Sequence, residues 1–134
     1  MRTTWRKGWL MFSIPAFALL LLSSCRNSKP PVVTFTEVPA ADAGGPAKVA
    51  PISGHITGAA PGDVIVFYAK SKRWWVQPFA DRPFTPISPD GEWNARIHLG
   101  TEYAALLVHP GFHPLPVTDT LPSKGAEVVA VATS

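Results

Sequence analysis

The sequence predicts an all-β chain, an antiparallel sandwich or small barrel of six to eight short strands, carried behind an export segment and a proline-rich tether. Three observations predict it. Fifteen prolines and ten glycines in 134 residues are too many for long helices or a coiled coil, and 46% apolar content is too high for a disordered chain. Short β-branched and aromatic runs recur between turn signals, and none carries a 3.6-residue period. A single cysteine, Cys25, excludes an intramolecular disulfide framework and any zinc site that needs two thiolates.

Residues 1–24 read as an address. Met1–Gly8 carries Arg2, Arg6 and Lys7 and no acidic residue, and Trp9–Leu22 is apolar apart from Ser13 and Pro15. As a helix that stretch reaches about 21 Å of a hydrocarbon core about 30 Å thick, which suits an export signal better than a spanning segment. Leu22-Ser23-Ser24-Cys25 then resembles the bacterial lipobox, an aliphatic and two small residues before a cysteine. The resemblance implies that the Cys25 thiol receives a diacylglycerol, that the signal is cut just before it, and that acyl chains hold the new N-terminus in a membrane. Two or three chains give the stable anchoring that one cannot. Arg26 stands where an Asp would resemble an inner-membrane retention signal, so the resemblance implies the outer membrane if the source has two. An ordinary secretory signal with an incidental cysteine, or an uncleaved anchor, are the alternatives.

Residues 25–51 read as a tether rich in Pro, Ala and Gly, as in Lys29-Pro30-Pro31 and Pro39 to Pro46, with a possible edge strand at 32–38. The β-domain is expected over 52–134. Ile52–Thr57 alternates imperfectly, and Pro61-Gly62-Asp63 turns the chain. Val64–Ala69 is apolar on both faces, as a central strand covered on both sides would be. Arg73–Phe79 alternates, with Trp74 and Val76 on one face and Arg73, Trp75 and Gln77 on the other. Pro78, Pro83, Pro86 and Pro89 mark a segment that cannot be a central strand. After the Pro89-Asp90-Gly91 turn, Glu92–Leu99 alternates strictly, with Trp93, Ala95, Ile97 and Leu99 on one face. Tyr103–Val108 is a second two-sided apolar strand, and Ala126–Thr133 closes the chain.

The order Ile52-Ser53-Gly54-His55-Ile56-Thr57-Gly58, Val64-Ile65-Val66-Phe67, Asp90-Gly91-Glu92-Trp93, Gly100 through Tyr103 to Val108, and Pro110-Gly111-Phe112 resembles carboxypeptidase-regulatory-like and CnaB-type domains. That resemblance implies an Ig-like, transthyretin-like Greek-key sandwich of about seven strands. Trp74-Trp75 with Asp90–Trp93 and Tyr103–Val108 also resembles Trp-Trp-bearing sandwich modules of bacterial extracellular proteins. These short motifs are mostly turn chemistry and specify fold better than function. The Lys–Asn isopeptide bond of CnaB domains does not carry over, since Asn27 and Asn94 are the only asparagines.

The alternation points Trp74 and Trp93 inward and leaves Trp75 on the outer face between Arg73 and Gln77. A tryptophan flanked by a guanidinium and an amide can serve as a sugar platform, the ring under the pyranose and the polar neighbours on its hydroxyls. Trp75 covered by residues 78–89 or by the tether is the structural alternative, and a partner-protein contact a third. His55 and His98 sit on the polar register of their strands, while His109 and His113 flank the Pro110–Phe112 turn without an obvious third ligand, so no metal or other cofactor is expected. No nucleophile elbow, HExxH helix or phosphate loop appears, and Asp90 and Glu92 read as turn and strand-face residues, so no catalysis is expected. The pI of about 9.3 is carried by Arg2, Arg6 and Lys7; from Cys25 onward nine basic residues balance nine acidic ones, and no nucleic-acid partner is implied. The expected partners are the membrane, through the lipid, and an envelope protein or a polysaccharide.

Overall fold

Alternation and two-sided apolar runs build nine β-strands and no helix in the computed structural model, which describes residues 29–134. The signal at 1–24, Cys25 and Arg26 lie outside the described residues. The strands are β1 (Val32–Glu37), β2 (Val49–Thr57), β3 (Val64–Ser71), β4 (Arg73–Gln77), β5 (Phe84–Thr85), β6 (Glu92–His98), β7 (Tyr103–Val108), β8 (Val117–Thr118) and β9 (Val128–Thr133). Every pairing is antiparallel. One sheet runs β1-β2-β6 and the other β8-β4-β3-β7-β9, with β5 continuing beside β3 where β4 stops. The chain crosses between sheets from β2 to β3 and again from β6 to β7, while β2 lies beside β6 and β3 beside β7. This interlocked double crossing is the Greek-key order of an Ig-like sandwich. β5 and β8, two residues each, bring the strand total above the expected seven.

The main core lies between the sheets. Trp93 on β6 faces Gly54 on β2, which faces Phe35 on β1, so one cross-strand row carries an aromatic ring laid over a glycine. A Cβ on Gly54 would run into the Thr34 carbonyl and the Trp93 ring, so the close approach requires glycine there. Phe35 meets Trp93 edge-on at 5.8 Å and Phe67 tilts against it from the opposite sheet at 5.1 Å. Ile52, Ile56, Ile65, Ile97, Ala105 and Leu107 fill the space around them.

The other face of the larger sheet is also dry. Val66, Tyr68, Trp74, Val76, Ala104, Leu106 and Val108 form a second cluster, covered by Phe112 and Leu121 from the segment between β7 and β9. The Tyr68 hydroxyl donates to the Leu115 carbonyl at 3.2 Å, and burial pushes its phenol up from the ordinary value. The two-sided character of β3 and β7 is thus accounted for, and Trp74 is buried in this second cluster rather than between the sheets.

The tether boundary at residue 52 is corrected by the structure. β1 is the edge strand expected at 32–38 and belongs to the smaller sheet, whereas β2 starts already at Val49 and residues 38–48 fold back onto the domain. The Asp42 amide donates to Gly100, Ser71 Oγ to the Ala43 carbonyl, and the Tyr103 hydroxyl to the Ala40 carbonyl. The composition of this loop suits a spacer, but its backbone groups find partners on the sandwich rim.

Candidate functional site

The two sheets differ in width, and the difference makes a site. β1 packs beside β9, so the extra strands of the larger sheet fall on the other flank, where β4 and β8 continue past the edge of β6. On β4 the cross-strand partners decide which way each side chain faces. Trp75 sits opposite Ala69 and Gln77 opposite Phe67, both on the inter-sheet face, while Trp74 and Val76 share the face of Lys70 and Tyr68. Gln77 lies under the end of β6 and is buried. Trp75, two residues further out, passes the edge and is 46% exposed.

Trp75 therefore stands on a shelf of the inter-sheet face, not on the outer face that alternation suggested. An open groove of about 700 Å³ lies over it, with Phe79, Gln77, His98, Lys72 and Val117 among its walls. The Trp75 Nε1–H donates to the Ser71 carbonyl at 3.1 Å, which pins the ring by its polar edge. Phe79, 47% exposed, follows the cis Gln77–Pro78 peptide and stands edge-on to the His98 ring at 5.9 Å. The Arg82 guanidinium lies 5.0 Å from the centre of the Phe79 ring.

The polar neighbours read from sequence are otherwise engaged. Arg73 Nε donates to Asp119 Oδ1 at 2.6 Å. Gln77 Oε1 accepts from both the backbone N–H and the Nδ1 of His98, each at 2.9 Å, and its amide group is the buried cap of the β6 edge. His98 is correspondingly half-buried against Gln77 rather than a solvated strand-face residue. Phe79, taken from sequence as the end of β4, proves to be a groove wall, because β4 stops at Gln77.

A second cluster sits at the other end of the sandwich. The buried Asp63 carboxylate contacts His109 Nδ1 at 2.7 Å and accepts the Ala60 N–H at 3.0 Å, tying the β2–β3 turn to the end of β7. Its partners are protein groups. Among the described residues no three His, Cys, Asp or Glu side chains group as a metal would need.

The chain was compared with protein-family models, with curated proteins and with solved structures. It matches none of them. What the shelf can do therefore rests on its own chemistry: two exposed aromatic rings, held on a β-strand and the tight turn after it, in an open groove.

Proposed function

We propose that this chain is an exported, lipid-anchored envelope protein that catalyses nothing and displays a β-sandwich as an interaction module, with the Trp75–Phe79 shelf as its contact surface. The observation that carries the binding half is the shelf. Two large exposed rings lining one groove, while Phe67, Tyr68, Trp93 and Tyr103 on the same sheets are fully buried, are the kind of patch that marks a site of interaction. The anchoring half is supported by Leu22-Ser23-Ser24-Cys25 and by the position of β1. The strand begins at Val32, so the domain would stand only a few residues from the lipid.

The anchor is tested by metabolic labelling. Cys25→Ser should abolish palmitate incorporation and shift the chain from the membrane to the soluble fraction. Labelling that persists in the variant refutes the anchor.

A further inference from the structure

The shelf has a chemistry specific enough to name a ligand class. Because the Trp75 indole N–H is spent on Ser71, the ring offers a face and not a donor. Phe79 offers a second ring in the same groove, steadied by Arg82 and His98. Planar faces of this kind match the C–H face of a pyranose ring.

An extended peptide would instead need unpaired backbone groups at the shelf. They are not on offer there. The end of β6 is closed by Gln77, and the outer edge of β4 is occupied by β8 through Trp75 opposite Val117 and by the Val76 N–H bond to Pro116.

Charge narrows the class further. The ionisable side chains lining the groove are Lys72 and His98, and no carboxylate lines it. Arg82 adds a cation where it stacks on Phe79. Of the acidic residues closest in sequence, Asp119 is paired with Arg73, and Asp81, like its neighbour Arg82, stands outside the lining on the turn closed by the Phe79–Arg82 bridge. Lys72, at a φ of 64° between β3 and β4, is exposed and lines the groove.

We infer that the shelf binds a carboxylate-bearing polysaccharide, a uronate polymer in chemical class. Trp75 and Phe79 lie under successive sugar rings, and Lys72 and Arg82 meet the carboxylates. The inference rests on the shelf being the binding surface, and it adds the ligand.

The full chain in detergent micelles is titrated with galacturonan, alginate and hyaluronan, and with fully methyl-esterified galacturonan, whose backbone is the same but whose carboxylates are masked. Isothermal titration calorimetry reads binding, so that the variants lacking Trp75 are measured on the same footing as the parent. The acidic polymer should bind about tenfold tighter than its ester or better, a difference that shrinks as ionic strength rises. Trp75→Ala should weaken binding about tenfold, with Trp75→Phe recovering part of the loss. Lys72→Gln should weaken binding of the acidic polymer alone, by about two- to fivefold. Equal binding of acidic and esterified polymers would overturn the charge assignment. A photo-reactive residue at position 79, tested in intact envelopes, separates the remaining outcomes. No polymer bound but adducts formed overturns the polysaccharide and leaves a protein-contact surface; no polymer and no adduct overturns the shelf reading as well.

Discussion

One sheet of this sandwich is covered twice, by a sheet on one face and by a loop on the other, and the two covers are held by different means. Over the inner face the β1-β2-β6 sheet satisfies its backbone through its own ladders and brings a continuous row of side chains, with Trp93 at its centre. Over the outer face residues 109–127 run with one two-residue strand and are held at separate points, such as Tyr68 to Leu115, Val76 N–H to Pro116, and Arg73 to Asp119. A cover that forms its own ladder should come off only with the fold. A cover pinned at points can lift while the sheet beneath it stays paired.

Removing the centre of the inner cover is the severest test of that difference. Trp93→Ala should cost about 3–5 kcal/mol and act on the whole domain, seen as one shifted denaturant transition with an unchanged slope. Trp93→Phe should retain most of the stability, because the buried Nε1–H has no hydrogen-bond partner to lose. A loss under about 1 kcal/mol for the alanine variant would show that the inner cover is not the keystone.

Phe112→Ala strikes the outer cover and should cost about 1–3 kcal/mol, less than a fully enclosed ring would. Its mark is local: amides of 109–127 should exchange with solvent faster while those of β3 and β7 keep their protection. Equal acceleration across the sheet would erase the distinction between the covers.

The smallest effect concerns the rim loop that closes the inner core. The Asp42 carboxyl is held below its ordinary value of 3.8 chiefly by the Gly44 N–H, then by the Lys48 ammonium. A depressed carboxyl pKa contributes stability above the unfolded-state value and loses it as pH falls through the lower folded-state value. Asp42→Asn should therefore be slightly less stable than the parent at neutral pH and equal to it in strong acid. Acid titrations followed by circular dichroism that stay apart at the acidic end would contradict this account.

Much of the sandwich is legible in the sequence because its strands obey simple periods. The strict alternation of Glu92–Leu99 marks β6, and the two-sided runs mark β3 and β7 as the strands covered twice. The outer cover is not legible in the same way. Phe112 and Leu121 are single apolar residues in a stretch of turns, with no period to announce that they meet. The site shows the limit more sharply. Alternation correctly groups Trp75 with Gln77, but it cannot say how wide the opposing sheet is. One residue ends buried and the other exposed on a single strand face, because the edge of β6 falls between them. The docking of the loop at 38–48 is hidden from the sequence for a related reason: proline and glycine content reports local stiffness, whereas the bonds from Ala40, Asp42 and Ala43 to the rim are made across long sequence separations.

The amide of Gln77 has a wider consequence. β6 is an edge strand, and outward-facing backbone groups on such a strand invite another chain to add on. At one end Gln77 occupies the His98 N–H. At the other, Ser88 donates to the Glu92 carbonyl and Asp90 Oδ1 takes the Glu92 N–H. Only the stretch of Asn94 and Arg96 is left between these plugs, and both side chains are polar and exposed. The opening is too short to seed a ribbon of stacked copies. Strand addition along β6 is thereby blocked at both ends of the strand, and β1 and β9 are the longer edges that the two sheets leave at their other flank.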